Sequence, residues 1–204
     1  MAEGALPACP IIEDVVGFQP EGQVLTAKAV TAGFPCQDIS QAGNQAGLHG
    51  HRSSLIKEAF KTYDCLPNAY MMLLENVSAL LGMNKECRKV LNYILQAAKK
   101  RDLAVFWTTN QLTNVGLPAS RRRVFLLLCK NDFTLQQAPP IDHFANLPWN
   151  AGNTTPMHKW LVRDNEKRDD HKSRMNSLGN VVVPQQAFLA LSVLARMTQG
   201  EFFV

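Results

Sequence analysis

A cysteine lies between a proline and a glutamine in the segment Gly-Phe-Pro-Cys-Gln, residues 33–37. The preceding residues, 24–32, are largely apolar and partly β-branched, which predicts a buried strand that ends near Gly33. Cys36 would therefore follow the carboxyl end of a strand, where open α/β sheets place their chemistry. Pro35 restricts the backbone there, so the thiol would be aimed rigidly, as a nucleophile requires. The alternative is a buried, inert cysteine that only packs.

A carboxylate and a group of arginines occupy comparable positions further along the chain. Glu75 directly follows the apolar run of residues 70–74, which predicts a carboxylate at a sheet edge whose pKa is raised by partial desolvation. The alternative role for Glu75 is a charge at a helix N-terminus. Three arginines, residues 121–123, lie between a turn at 116–118 and another apolar run. They would clamp an anion or a carbonyl group, or form only a basic edge.

Short apolar runs and amphipathic segments alternate along the chain and would position these groups. Strands are predicted at residues 24–32, 70–74, 104–112 and 124–129, and helices through 55–63, 90–101 and 183–197. This alternation is typical of the α/β class, and it predicts a doubly wound, mostly parallel sheet. Such a sheet would place Cys36 and Glu75 at the edge formed by the carboxyl ends of its strands.

The composition is that of an ordinary globular protein, with 204 residues, 46% apolar and 19% charged, and a formal net charge of +4. This mild basic bias is compatible with a polyanionic partner but does not establish one. The five cysteines are widely spaced and include no Cys-x-x-Cys pair, so neither a disulfide framework nor a metal site is predicted, and a reducing intracellular compartment fits best. No apolar run approaches the roughly 18 residues of a membrane-spanning helix, so no membrane partner is expected.

Four separated blocks resemble the signature motifs of the cytosine-5 DNA methyltransferases, in the family's order and at fitting intervals. They are Gly-Phe-Pro-Cys-Gln at 33–37, Glu-Asn-Val at 75–77, Gly-Leu-Pro-Ala-Ser-Arg-Arg-Arg at 116–123 and Gly-Asn-Val-Val-Val-Pro at 179–184. The resemblance covers residues 14–129 and 175–197. It implies the Rossmann-like fold of class I methyltransferases, double-stranded DNA as the substrate and S-adenosylmethionine as the methyl donor.

The resemblance also implies a mechanism. The Cys36 thiolate would add to C6 of a cytosine flipped out of the duplex, while Glu75 would hydrogen-bond N3 and the exocyclic amine. Arg121 and Arg123 match the two arginines of the family's Gln-x-Arg-x-Arg block, of which the second lies at the cytosine. Asn76 would fix the backbone of the carboxylate beside the substrate. After C5 is methylated, a base would remove the C5 proton and Cys36 would be released.

The same match assigns further residues to binding. The cofactor would be bound by Asp14, Pro35, Leu55 and Asn180. The substrate would be contacted by Gln37, Ser40, Arg52 and Asn76. The glycine-rich segment 40–52 resembles the mobile loop that closes over DNA in this family.

The chain also departs from the family pattern. No Phe-x-Gly-x-Gly block precedes Cys36, so we expect an N-terminally incomplete sheet, with the missing strands supplied by a second polypeptide. Ala119 and Val181 replace a glutamine and a serine of the family blocks. The expected organisation is a partial catalytic domain at 1–130, a reduced target-recognition insert at 131–174 and a helix at 175–204 that returns to the catalytic domain.

Three alternatives stand beside the catalytic interpretation. The chain would be a non-catalytic DNA-binding or regulatory relative, a fragment or splice product, or a relative of the branch that acts on transfer RNA, whose cysteine block usually differs. The presence of Cys36, Glu75, Arg121 and Arg123 together favours catalysis. The expected location is the nucleus in a eukaryote and the cytoplasm in a prokaryote.

Overall fold

The computed structural model describes residues 11–34, 55–115, 121–131 and 184–199. Its strands are β1 (Ala29–Gly33), β2 (Met71–Val77), β3 (Leu103–Gln111) and β4 (Arg122–Lys130). Its helices are α1 (Leu55–Asp64), α2 (Lys85–Lys100) and α3 (Pro184–Thr198), and 3-10 helices span Gly22–Thr26, Ser78–Leu81 and Leu112–Val115. Residues 132–174 of the predicted insert lie outside the described residues.

The four strands form one mixed sheet in the order β1-β2-β4-β3. β1 and β2 are parallel, and β4 is antiparallel to both β2 and β3, so three strands share one direction and β4 opposes them. Helices cover both faces, since α1 and α2 pack on one face and α3 on the other. The predicted α/β class is confirmed. The pattern of the sequence did not reveal the reversed direction of β4, which follows from its short connection to β3.

The strand predicted at residues 24–32 is wrong in its first half and in its burial. Gly22–Thr26 is a 3-10 helix, and β1 begins only at Ala29. Side chains along β1 alternate between exposed and half-buried rather than buried. The physical reason is position: within the described part of the sheet, β1 is an edge strand that pairs only with β2.

β2 does not end at Leu74, as the apolar run predicted, but continues through Glu75 and Asn76 to Val77. The extension is stabilised by β4, whose first residues pair with the end of β2, with Val77 opposite Arg123. Glu75 therefore belongs to the strand and does not follow it. Sheet pairing overrides the change from apolar to polar residues at this point.

β4 is the central strand of the hydrophobic core. Its side chains are buried from Arg123 to Cys129 and point alternately to the two faces. Val124, Leu126 and Leu128 pack with α1 and α2, while Phe125, Leu127 and Cys129 pack with α3. A strand buried on both faces reads as a continuous apolar run, which is why it was recognisable in the sequence.

The helices bury most of the faces that their periodicity predicted, although Leu95 of α2 is 39% exposed. α1 buries Ile56, Ala59, Phe60 and Tyr63. The N-terminus of α2 is capped by Asn84, whose side chain accepts a hydrogen bond from the backbone N–H of Glu86. The last turn of α2 carries Lys99 and Lys100, cations that suit the negative end of the helix dipole.

Within the parts of the chain that the structure covers, no helix is long and apolar enough to cross a bilayer. The same residues contain no group of three or more histidine, cysteine or acidic side chains that could hold a metal ion.

Candidate active site at the carboxyl end of the sheet

Glu75 lies beside the carboxyl end of β1, the strand that leads into the cysteine loop. Parallel pairing places Gly33 opposite Glu75. A Cβ atom built on Gly33 would lie 3.3 Å from Oε2 of Glu75, so the absence of a side chain at Gly33 makes room for the carboxylate. Cys36 follows three residues later in the sequence and lies outside the described residues.

Glu75 forms an ion pair with Arg123. The distance from Arg123 Nε to Glu75 Oε1 is 2.7 Å, and the two side chains are 10% and 15% exposed. Arg123 lies opposite Val77, so it is a diagonal neighbour of Glu75 on the face of the sheet that α3 covers. Because β4 is antiparallel to its neighbours β2 and β3, its amino end lies beside their carboxyl ends, and this brings Arg123 to the site.

Burial raises the pKa of the Glu75 carboxyl above its ordinary value of 4.5, and the charges of Arg123 and Arg121 oppose this shift without cancelling it. The sequence predicted this direction, because a carboxylate at a sheet edge loses much of its hydration. A carboxyl group with a raised pKa holds its proton to higher pH than an ordinary glutamate. It is therefore suited to donate a hydrogen bond or a proton to a substrate.

Asn76 points to the opposite face from Glu75 and is only 2% exposed. Its Nδ2 donates a hydrogen bond of 3.0 Å to the carbonyl of Phe34, and its Oδ1 accepts one of 2.9 Å from the backbone N–H of Val77. Asn76 thus holds the backbone of the residue that precedes Pro35 and Cys36. This contact ties the end of β1 to the strand that carries Glu75. The predicted role of Asn76 in substrate binding stays a prediction.

Arg121 lies one residue before β4, where the hydrogen bonds of the sheet no longer hold the backbone. Its carbonyl accepts a hydrogen bond of 3.0 Å from the backbone N–H of Leu112 and a longer one of 3.4 Å from Gln186 Nε2. Its guanidinium is close enough to Glu75 to lower the pKa of that carboxyl. The structure therefore brings together Glu75, Arg121 and Arg123, and the catalytic roles assigned to them stay predictions.

Two buried amides beside this group were missed by sequence reasoning. Asn110 and Gln186 are 7% and 1% exposed, and each side chain donates a hydrogen bond of 3.0 Å to the other residue's backbone carbonyl. Asn110 lies near the end of the strand predicted at residues 104–112, and Gln186 lies in the first turn of the helix predicted at 183–197. For Gln186 the available signal was an amide followed at helical spacing by the apolar residues Leu189 and Ala190, whereas Asn110 has the polar Thr108 as its neighbour on the same face and gave no such signal.

The remaining predicted site residues are not assembled by the described part of the structure. Asp14 is exposed in the N-terminal segment, where its Oδ1 accepts a hydrogen bond of 2.9 Å from the N–H of Val16. Leu55 is the first residue of α1 and is half-buried. Pro35, Cys36, Gln37, Ser40, Arg52 and Asn180 lie outside the described residues. Their assigned roles stay predictions.

The profile of the C-5 cytosine-specific DNA methylase family matches residues 10–191, which is most of the chain. The chain belongs to this family. The predicted family is confirmed, and the match extends over the blocks that contain Cys36, Glu75, the arginines and Asn180.

Bacterial type II methyltransferases are similar to the chain over different lengths. The type II methyltransferase M.DsaV of Dactylococcopsis salina is 37% identical over 199 residues, which cover 88% of this chain and 55% of that protein. The type II methyltransferase M2.BsuMI of Bacillus subtilis is 37% identical over 101 residues, 48% of this chain and 25% of that protein. The match to the structure of the S. pombe Dnmt2 methyltransferase covers 81% of this chain and 51% of that protein, with a TM-score of 0.45 and 17% identity. The chain therefore spans about half or less of the length of these relatives.

Proposed function

We propose that the chain carries the catalytic chemistry of a DNA (cytosine-5)-methyltransferase, acting on a cytosine flipped out of double-stranded DNA. The observation that carries this proposal is the Glu75–Arg123 pair, nearly buried and located beside the end of β1, from which the chain continues to Cys36. A carboxyl group of raised pKa, together with a cysteine three residues beyond Gly33 in the sequence, supplies the two groups that activation of a pyrimidine ring requires.

In the proposed reaction the Cys36 thiolate forms a bond to C6 of the cytosine, and the electrons of the C5–C6 double bond move toward N3. Glu75 donates its proton to N3 in the same step, so the ring does not accumulate negative charge. Arg123 holds the carboxyl in place and stabilises the carboxylate that remains. Once C5 carries the methyl group, the N3 proton returns to the Glu75 carboxylate, and a base removes the C5 proton, which restores the C5–C6 double bond and expels the Cys36 thiolate.

S-adenosylmethionine supplies an electrophilic methyl group when it is bound. Of the residues assigned to it, Asp14 offers an exposed carboxylate and Leu55 a half-buried apolar side chain. These groups fit the amine and the ring of the adenine. Asn180 and Pro35 would complete the site in the assigned set.

The exposed side of β1 supports a second part of the proposal, that a second polypeptide supplies strands beside β1. Within the described residues β1 pairs with β2 alone, and its side chains alternate between exposed and half-buried. An edge strand of a sheet offers unpaired N–H and C=O groups to a further strand. The alternative function, an inactive DNA-binding or regulatory relative, is a possible outcome of the same experiment.

The test uses a DNA duplex that contains 5-fluorocytosine, together with labelled S-adenosylmethionine. Fluorine at C5 cannot leave as a proton does, so the covalent adduct with Cys36 would accumulate. We expect the adduct with the wild-type chain, alone or with a complementing polypeptide, and with the matched control Cys65→Ser, which changes an exposed residue that directly follows the end of α1. Cys36→Ser should form none.

Absence of an adduct under every condition would refute catalysis. DNA binding that is then equal in the wild type and Cys36→Ser would instead support the regulatory alternative. An adduct that persisted in Cys36→Ser would show that another residue is the nucleophile.

A further inference from the structure

We infer that Gln186 is a positioning residue, which, together with Asn110, sets the arginines of the site against Glu75. Only the predicted effect on turnover rests on the proposed function, because the contacts of Gln186 belong to the folded chain whatever its activity.

The first step is the location of the amide pair. Asn110 is paired with Arg123 across β3 and β4, so the two side chains are direct neighbours on the face that α3 covers. Glu75 lies on the same face, diagonal to Arg123. A continuous row of polar side chains therefore runs across the end of the sheet, from Glu75 through Arg123 and Asn110 to Gln186.

The second step is the way in which Gln186 is held. Both its backbone carbonyl and its side-chain amide are bonded to Asn110 at 3.0 Å, and the residue is 1% exposed. Buried amides that exchange two hydrogen bonds specify one relative position of the elements that carry them. The first turn of α3 is consequently fixed to the last residues of β3.

The third step connects this pair to the charged groups. Gln186 Nε2 also reaches the carbonyl of Arg121, at 3.4 Å. Arg121 lies outside β4, so its backbone is held by this contact and by the N–H of Leu112 rather than by strand pairing. If Gln186 is removed, the backbone of Arg121 loses one of these two contacts, and the packing beside Arg123 loosens.

The consequence is a testable change at Glu75, whose charged neighbours among the described residues are Arg123 and Arg121. Both arginines lower the pKa of Glu75 against the effect of burial. When they are less well placed, that pKa should rise further. The relevant comparison is between a variant that removes only the amide and a variant that disturbs α3 elsewhere.

The experiment is a pH titration of carbon-13-labelled glutamate carboxyl groups by NMR in the full chain. In Gln186→Met, which keeps the length of the side chain but cannot donate a hydrogen bond, the pKa of Glu75 should rise by roughly 0.5 to 1 pH unit. The control Leu194→Ala removes a fully buried side chain from the same helix, in the apolar cluster away from the arginines, and should leave that pKa unchanged.

Gln186→Asn is the second variant, to be used if Gln186→Met does not fold. It keeps an amide but withdraws it by one methylene group from the Arg121 carbonyl, and it should shift the pKa in the same direction. Equal Glu75 pKa values in the wild type and the Gln186 variants would overturn the inference. A shift of the same size in Leu194→Ala would also overturn it, because the effect would then come from loosening of the helix in general.

Turnover gives an independent reading. In a preparation that transfers methyl groups, Gln186→Met should lower kcat several-fold, with little change in the KM for DNA, and move the pH–rate profile in the direction of the Glu75 shift. If the wild type forms no product, the proposed function fails, while the NMR titration still decides the role of Gln186. If the wild type is active and Gln186→Met matches it in rate and pH profile, the inference fails and the proposed function stands.

Discussion

Two arginine–carboxylate pairs at different ends of the molecule differ in how well they are satisfied. Arg101 binds both carboxylate oxygens of Asp64, through Nε at 2.6 Å and through Nη2, and it also donates a hydrogen bond to the carbonyl of Ala97 and lies over the ring of Phe60. Asp64 is about half exposed. The Glu75–Arg123 pair is nearly buried, with Arg123 Nε 2.7 Å from Glu75 Oε1.

The difference indicates what each pair is for. The Asp64–Arg101 pair joins the end of α1 to the residue that follows α2, and its two parallel contacts are typical of a bidentate ion pair that stabilises the fold. At Glu75, burial has outweighed the two arginines in setting the pKa, and Oε1 accepts no well-aligned hydrogen bond from the described residues. A buried carboxyl with unused hydrogen-bonding capacity is costly for the fold and useful for a ligand.

The comparison is tested most strongly by removing each carboxylate's charge. Glu75→Gln should lower methyl transfer by about 10²–10⁴-fold, because glutamine cannot deliver a proton to N3. Asp64→Asn should leave the rate within about twofold, since that pair acts only on the helices. Initial rates with labelled S-adenosylmethionine measure both. Equal losses of activity in the two variants would contradict the distinction.

Removing the arginine of each pair should lower the free energy of unfolding by different amounts. Arg123→Leu leaves the Glu75 carboxylate buried without its partner and should lower the free energy of unfolding by about 3–5 kcal/mol near pH 8. Arg101→Leu removes the partner of Asp64, a carboxylate that is already about half exposed, so it should lower the free energy of unfolding by only about 1 kcal/mol. Urea unfolding followed by circular dichroism gives both values. A smaller cost for Arg123→Leu than for Arg101→Leu would refute the assignment.

The raised pKa of Glu75 predicts a dependence of stability on pH. Because the folded-state pKa is higher than the unfolded value near 4.5, the folded chain holds this proton more tightly. The resulting stabilisation is fully present below about pH 4.5 and is lost as pH rises through the folded-state pKa, by about 1.4 kcal/mol for each pH unit between the two values. Glu75→Gln should lack this component when urea unfolding is repeated from pH 4 to 8. Identical pH profiles would show that the pKa is not raised.

The smallest effect is expected at the glycine that faces the carboxylate. Gly33→Ala would place a methyl group 3.3 Å from Glu75 Oε2, so the carboxylate must move by a few tenths of an ångström. We expect a loss of methyl transfer of roughly 2- to 10-fold and a stability change within about 0.5 kcal/mol.

Gly82→Ala is the opposite case. Its Cβ would lie 2.9 Å from the backbone oxygen of Ala79, so it should cost about 1–3 kcal/mol of stability and leave the rate per folded molecule unchanged. If Gly33→Ala lost stability but kept its rate of methyl transfer, the position of the Glu75 carboxylate would not limit that rate.

Sequence patterns were most informative where residues are buried along whole elements. The apolar run that became β4 and the periodic face of α1 were recognisable because burial on one or both faces leaves a repeating pattern. They were least informative at the ends of elements. β2 continues past Leu74 to Val77, and residues 22–26 form a 3-10 helix, because pairing and packing with distant segments decide those boundaries.

For the site, the chain alone determined which chemical groups are present: a cysteine after a strand, a carboxylate, arginines, and the family blocks that connect them. Only the tertiary structure decided their arrangement. The antiparallel direction of β4 brings Arg123 to Glu75, parallel pairing places Gly33 beneath the carboxylate, and α3 brings Gln186 to Asn110. These contacts join residues 42 to 76 positions apart or pair neighbouring strands, and they arise from strand direction and helix docking, which no local pattern of residues encodes.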